Sequence, residues 1–550
     1  MGTSAPPPAL SDQSSALDSL SPVPVSARID AGSALRIGAV QEASHRGHPA
    51  WSALADLDPD GLRSEGYALR IRAAGNGGEA LLAAADEEGL FRARTTLAAL
   101  RAASATLPPL SIRDEPALPW RGTIEGFYGE PWSHADRLEH LRFCARNKLN
   151  SFAYAPKDDP YHRERWREPY PDVDLARLAE LVRAAEESRV RFTYTIAPGL
   201  SMVYSSPVER DLLFAKAEQL WSIGVRSFAL LFDDIPAELQ HQEDREVFGG
   251  GDGASGAAHG RVCAEFQDRF LAPRGGDRLV MVPTEYAGLE QSPYRSRLAE
   301  TLPADALVWW TGSDVVVGSI TREEVDAAAA AFDRDLLLWD NFPVNDFDAA
   351  RLFLGPLLGR PKDLEGSRLV GVSANPMIQA SASQFALATV ADWAWNPSAY
   401  DPEQSAARAV RAVAGSLASA LRPLLAVTSA WPPSLDRAPH LSAAIPAALE
   451  GDHAALTRLE EALAELAALP AAVEDQHGPL LDELRPWLEA AGREAAIALA
   501  ATELLAEGRP VGGERRARLL ADLDAVAGAP HDVLRATLVE YARSVLARLA

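Results

Sequence analysis

From residue 119 onward the chain is punctuated by short apolar runs at 122–127, 151–155, 192–196, 228–232, 279–282, 307–310, 336–339 and 369–372. Runs this short, with little polar alternation, read as strands buried on both faces, as in a parallel sheet covered by helices. Between them lie stretches with apolar residues at helical spacing, as in 174–186 and 208–220. Eight such strand and helix units predict a (β/α)8 TIM barrel over 116–400, with an active site on the loops at the C-terminal ends of the strands. Upstream, 67–73 alternates like a half-buried strand and 89–101 has helical periodicity, so 23–115 reads as a small N-terminal α/β domain. Beyond 400 the chain turns rich in Ala, Leu, Glu and Arg with Pro and Gly breaks, which predicts a C-terminal helical bundle over 401–550. Its Leu and Ala stripes read first as internal core, with a homodimer through the C-terminal helices as the second reading. Residues 1–22, rich in Ser, Pro and Ala, read as a disordered segment.

Polar or turn residues follow every predicted strand: Tyr128-Gly129, Lys157-Asp158-Asp159, Pro198-Gly199, Asp233-Asp234, Thr284-Glu285-Tyr286, Thr311-Gly312, Asp340-Asn341 and Asn375-Pro376. Buried polar groups cost stability unless something pairs with them, so eight such endings in register argue for a shared mouth. Asp233 and Asp234 stand out. Successive strand residues point to opposite faces, so both carboxylates share one site only where the strand breaks, and Pro236 marks that break. Adjacent carboxylates repel, which favours one of the pair holding a proton beside a fixed anion: a general acid with an electrostatic partner.

Composition removes alternatives. A formal net charge of −24 and a pI near 4.9 disfavour nucleic acid and anionic membranes as partners. Cys144 and Cys263 are the only cysteines and the eleven histidines show no ligand spacing, so no metal and no cofactor is expected. Residues 56–61 imitate a calcium loop, but Tyr67 stands where a bidentate Glu is needed and Pro59 interrupts the loop, so the stretch reads as a turn. The Gly-rich stretch 248–258 has no Gly-x-x-x-x-Gly-Lys spacing and reads as a mobile loop. No apolar run approaches the roughly 18 to 20 residues of a membrane span, and the N-terminus lacks basic and apolar leader regions, so a cytoplasmic location is expected.

Longer motifs carry a resemblance. Arg121-Gly-Thr-Ile-Glu-Gly-Phe-Tyr-Gly-Glu-Pro-Trp-Ser133, Tyr154-Ala-Pro-Lys-Asp-Asp-Pro-Tyr161, Phe232-Asp-Asp-Ile235, Pro283-Thr-Glu-Tyr286, Trp309-Trp-Thr-Gly312, Trp339-Asp-Asn341 with Asn345-Asp346, and Asn375-Pro-Met377 closely resemble the family 84 glycoside hydrolases. That family includes O-GlcNAcases, bacterial β-N-acetylglucosaminidases and hyaluronidase-like enzymes. The resemblance spans the barrel and extends to the small domain before it; the C-terminal helices are similar only in kind.

The resemblance implies a retaining exo-β-N-acetylglucosaminidase in which the substrate's own 2-acetamido oxygen attacks the anomeric carbon and forms an oxazoline, an exception to the two-carboxylate scheme. On this pattern Asp233 orients the acetamido N–H and Asp234 is the acid and then the base. Lys157, Asn341, Asp346 and Asn375 would contact the sugar hydroxyls, Gly126 would offer its backbone carbonyl, Tyr286 would meet the acetamido oxygen and Trp339 would wall the acetyl pocket. Trp309 and Trp310 read as barrel packing, and Asp158 and Asp159 as helix caps or partners of Arg165 or Arg167. The implied substrate is a β-GlcNAc-bearing glycoconjugate or glycoprotein, including O-GlcNAc on serine or threonine. The rivals are a hyaluronidase-like or β-GalNAc-preferring glycosidase and a non-catalytic sugar-binding scaffold.

Overall fold

The computed structural model describes residues 16–75, 77–431, 436–508 and 512–549. Its first sheet is formed by β1 (Ser26–Ile29), β2 (Ile37–Ala43), β3 (Tyr67–Ala74), β4 (Gly77–Ala84) and β5 (Leu110–Asp114), in the spatial order β1-β5-β3-β4-β2. One face packs on the helix Glu87–Ala103, whose Asp86 N-cap accepts the Gly89 N–H and satisfies a donor that the helix start leaves open. Residues 1–15 of the expected disordered segment lie outside the described residues. Residues 16–22 depart from that expectation: Ala16 and Leu20 are buried in the same core.

All eight predicted barrel strands form: β6 (Trp120–Glu125), β7 (Ser151–Tyr154), β8 (Arg191–Ile196), β9 (Ser227–Leu231), β10 (Val280–Val282), β11 (Leu307–Trp310), β12 (Asp335–Asp340) and β13 (Leu369–Ala374). They close into a parallel barrel, β13 pairing with β6. The period-two alternation of a strand divides the side chains: Ala229 and Leu231 of β9 fill the barrel interior, while Phe228 and Leu230 pack outward against the helices.

Buried ion pairs lock the first domain onto the barrel. Glu65 accepts from Arg92 at 3.0 Å, Arg121 at 2.6 Å and Asn150 at 2.7 Å. Burial alone would raise its pKa, but the two guanidiniums outweigh that and hold it down at about 2. Asp114 joins Tyr67, Lys148 and Trp395 in the same seam.

Beyond the barrel, helices such as His453–Ala467 and Pro479–Glu507 pack into a bundle against it. Glu483 accepts the Ser381 and Ala382 N–H groups at the start of the helix Ala380–Trp395 that follows β13. Trp431 packs among Phe342, Phe347 and Phe353, on the mouth side of the barrel. The segment Pro402–Val427 holds no long uninterrupted apolar run, yet by length and average composition it is apolar enough to span a membrane. Leu421 and Leu424 on it are buried, Arg408 pairs with Asp392 at 2.6 Å and Arg422 with Glu465 at 3.0 Å.

The Gly-rich stretch is also not simply a loop. Residues from 254 onward belong to the buried helix Ala254–Phe266, where a Cβ on Gly256 would run into the Tyr294 carbonyl and one on Gly260 into the Thr301 hydroxyl. These glycines serve close packing on the helix Pro293–Thr301.

Candidate active site

The acid pair stands at the end of β9. Phe232 still follows the sheet, its N–H on the Val282 carbonyl at 2.9 Å. Asp233 comes next and is 7% exposed, and Asp234 then turns into the left-handed region at φ 52° with an exposed side chain. That turn breaks the strand alternation and brings two consecutive carboxylates into one mouth. Aspartate tolerates the left-handed region better than most residues, at a cost of about 1–2 kcal/mol. The preceding residue is held from behind: Thr284 Oγ1 donates to the Phe232 carbonyl at 2.8 Å, and the neutral, buried His259 stacks on the Phe232 ring with centroids 4.2 Å apart. Burial lowers the His259 pKa to about 3, so the ring carries no charge into this support.

The two carboxylates are held differently. Asp233 Oδ2 accepts from Lys157 Nζ at 2.9 Å, and its buried Oδ1 has no hydrogen-bond partner among the described residues. Asp234 accepts from the Tyr128 hydroxyl at 2.8 Å on Oδ2 and from the Tyr286 hydroxyl at 3.0 Å on Oδ1. Burial and the adjoining carboxylate push the Tyr128 phenol up to about 12 and raise that of Tyr286 as well, so both stay neutral donors.

Around them, Asn375 Oδ1 accepts the Gly126 N–H at 3.2 Å, and Asn375 Nδ2 donates to Asn341 Oδ1 at 3.0 Å. The Trp339 indole N–H shares that acceptor at 3.0 Å. Asn341 Nδ2 is held by the Val315 carbonyl at 2.8 Å, and Asp346 Oδ2 accepts the Tyr128 N–H at 2.8 Å. A Cβ on Gly126 would sit 2.5 Å from the Trp339 ring, so only glycine lets the β6 loop pass over the indole.

Gly126, Lys157, Asp233, Asp234, Tyr286, Trp339, Asn341, Asp346 and Asn375 thus line one cavity of about 230 Å³. Sequence reasoning gave Tyr128 no role, although its place directly after the first barrel run was the available signal. Trp309 is both packing and lining: its N–H bonds Ser373 at 3.1 Å, it meets Trp339 edge-on, and it faces the cavity. Trp310 points away and donates to the Gly288 carbonyl at 3.0 Å. Asp159 neither caps a helix nor pairs with arginine; it accepts from the Tyr154 and Tyr170 hydroxyls, while Arg165 pairs with Glu168 and Arg167 with Glu209.

A family profile described as beta-N-acetylglucosaminidase matches residues 121–426, more than half of the chain. The chain belongs to this β-N-acetylglucosaminidase family. Among curated relatives of this family member, the Protein O-GlcNAcases of Rattus norvegicus and Mus musculus are each 39% identical over 280 residues, 50% of this chain and 29% of theirs. The match therefore spans less than a third of the length of those relatives. Among solved structures, CpGH84B superposes with a TM-score of 0.82 at 25% identity, covering 95% of this chain and 99% of its own. An O-GlcNAc hydrolase of Thermobaculum terrenum, a point mutant, gives 0.71 at 30% identity, covering 78% and 94%. The family's architecture accordingly extends through the small domain and the C-terminal helices as well as the barrel.

Proposed function

We propose that this protein is a retaining exo-β-N-acetylglucosaminidase that removes terminal β-linked GlcNAc from glycoconjugates, O-GlcNAc on protein serine and threonine among them, by substrate-assisted catalysis. The observation that carries the reading is the unequal setting of the two acids. Asp233 is buried, fixed by Lys157 and left with a free Oδ1 that suits one N–H donor, which is what an acetamido group offers. Asp234 is exposed and held only by neutral phenols, as a group that must reach an oxygen and exchange a proton requires.

The steps follow from those positions. Asp233 Oδ1 accepts the acetamido N–H and stabilises the positive charge that grows as the acetamido oxygen attacks the anomeric carbon. The bond to the leaving oxygen breaks as Asp234 protonates it. Water then attacks the oxazoline at the anomeric carbon, giving its proton to Asp234, and two inversions amount to retention. Asn341, Asn375, Asp346 and Lys157 offer the polar contacts for the ring hydroxyls, and a cavity of about 230 Å³ suits a terminal sugar rather than the interior of a polymer. The names of the similar rat, mouse and Thermobaculum proteins support the same substrate class. Two free, buried cysteines are compatible with a cytoplasmic location.

The test is a series of 4-nitrophenyl β-GlcNAc analogues whose N-acetyl group carries zero, one, two or three fluorines. Fluorine weakens the carbonyl oxygen as a nucleophile, so turnover should fall stepwise along the series. A flat series would remove the acetamido oxygen from the mechanism, and no turnover of the parent would remove the activity itself.

A further inference from the structure

The segment that joins β12 to β13 carries two residues of the sugar cavity, Asp346 and Phe347. Its only regular structure is the single turn Asp346–Asp348, so its shape depends on what grips it from outside. On the barrel side the grip is Asn345, which is fully buried. Its amide N–H groups reach the Arg351 carbonyl and the Gln379 side chain, both at 2.9 Å, and its Oδ1 accepts the Ile378 N–H at 3.1 Å.

The outer side is held by the C-terminal helices. The Ala350 carbonyl accepts twice, from the Trp487 indole N–H at 2.7 Å and from the Asp532 backbone N–H at 2.9 Å. Trp487 is 3% exposed, lies on the helix Pro479–Glu507 and packs edge-on against His531, with ring centroids 4.6 Å apart. The second donor is fixed by the same helix: Glu494, two turns beyond Trp487, accepts the Val533 and Leu534 N–H groups. Arg437 holds the Asp532 carboxylate at 2.8 Å. Farther along the segment, the Leu354 N–H donates to the Thr428 carbonyl at 2.9 Å, and a Cβ on Gly355 would collide with the Ser429 carbonyl. The bundle thus touches the segment on both sides of Arg351, within four residues of Asp346 at the nearer point.

We propose that Trp487 is a positioning residue for the sugar site: through the Ala350 carbonyl the C-terminal bundle fixes the loop that presents Asp346, and so sets how tightly the ring hydroxyls are held. The assignment rests on the part given to Asp346 above. Loss of the indole N–H lowers the fraction of molecules with that loop in place, and apparent affinity falls by the same fraction. The acids do not share this dependence, because Thr284 and His259 anchor the end of β9. The signature is a change in KM without one in kcat.

The experiment is a double-mutant cycle on 4-nitrophenyl β-GlcNAc hydrolysis with wild type, Trp487→Phe, Asp346→Ala and the double variant, and with calorimetric binding of free GlcNAc to the same four proteins. Phenylalanine keeps an aromatic ring in the core and removes only the donor. KM should rise about three- to tenfold in Trp487→Phe, the range of one net hydrogen bond, with kcat within about twofold of wild type. In the Asp346→Ala background the same substitution should change KM by less than about twofold, a coupling that a general loss of stability would not produce. Should Trp487→Phe fail to fold, Arg437→Gln, which frees the Asp532 carboxylate at a partly exposed position, should give a smaller rise in KM with the same dependence on Asp346. An unchanged KM, a fall confined to kcat, or equal effects in both backgrounds would overturn the proposal. Absence of turnover in every protein would sink the reaction; GlcNAc binding weakened by Trp487→Phe only where Asp346 is present would still uphold the clamp, and binding unaffected by it would overturn the clamp as well.

Discussion

Replacing Asp234 by asparagine separates proton transfer from shape. Asparagine is isosteric and tolerates the left-handed backbone found at φ 52°, so the turn that places the residue survives. Its amide oxygen can keep one of the two phenolic donors, and the other hydroxyl can rotate to accept from the amide N–H, at a cost of about 1 kcal/mol for exchanging a charged acceptor at an exposed position. The melting temperature should therefore move by only a few degrees. Catalysis should respond far more, and selectively. A positioned general acid contributes about 10² to 10⁴ in rate, or roughly 3 to 5.5 kcal/mol, when the leaving group needs its proton. For a serine or methyl aglycone the whole of that should appear in kcat/KM.

A nitrophenolate leaves without much help, so kcat/KM for 4-nitrophenyl β-GlcNAc should fall by less than about tenfold. Its kcat should fall further, because opening the oxazoline still needs a base for the incoming water. The assay is the same pair of substrates on wild type, Asp234→Asn and Asp233→Asn. Asp233→Asn should slow both substrates alike, since the acetamido group it serves is common to them. Equal losses of kcat/KM on both aglycones in Asp234→Asn would refute its role as the acid.

Gly126→Ala drives a methyl group to 2.5 Å from Trp339, an overpacking of about 1–3 kcal/mol that should appear as weaker substrate binding, read as a raised KM. Glu65→Gln should lower the unfolding free energy by about 3 kcal/mol, as a carboxylate held at about pKa 2 against an ordinary value near 4.5 implies. Because that folded pKa is depressed, the wild type's advantage should be complete above about pH 5 and fade as pH falls toward 2; urea midpoints of both proteins across that window measure it. Glu494 is the opposite case: burial raises it to about 7 even though its carboxylate accepts the Val533 and Leu534 N–H groups, which pull the other way. Its folded form keeps the proton longer than the unfolded chain, so stability should decline from about pH 4.5 to 7 in wild type, and Glu494→Gln should flatten that slope.

The barrel was legible because a strand covered on both faces leaves an unbroken apolar run that needs no knowledge of partners, and all eight runs became strands. The site residues were legible to the extent that each follows such a run, and Lys157, Asp233, Tyr286, Asn341 and Asn375 do. What escaped depends on relations between distant segments. The role of Tyr128 exists only because the β6 loop lies over Asp234, residues separated by 106 positions. Gly256 read as a loop glycine because nothing local records the helix that presses against it. Residues 402–427 have no long uninterrupted apolar run, yet their alanines and leucines average to the hydropathy of a membrane segment, a property that only a window sum exposes.

The adjacency of Asp233 and Asp234 is itself informative in a way that pattern alone could not complete. Repulsion between neighbouring carboxylates suggests a division of labour, but it does not say which residue takes which part. The backbone decides it. Asp233 still belongs to the strand's buried end and meets Lys157, whereas one left-handed step later Asp234 stands in the open between two phenols. The strain of that step is local and small; the anchors that hold the strand end, Thr284 and His259, come from the next strand's end and the following glycine-rich helix. The helix that continues from the glycine-rich stretch is therefore part of what holds the strand end carrying the two acids, and a pair of identical side chains acquires opposite chemistry from the residues around it rather than from anything in the pair.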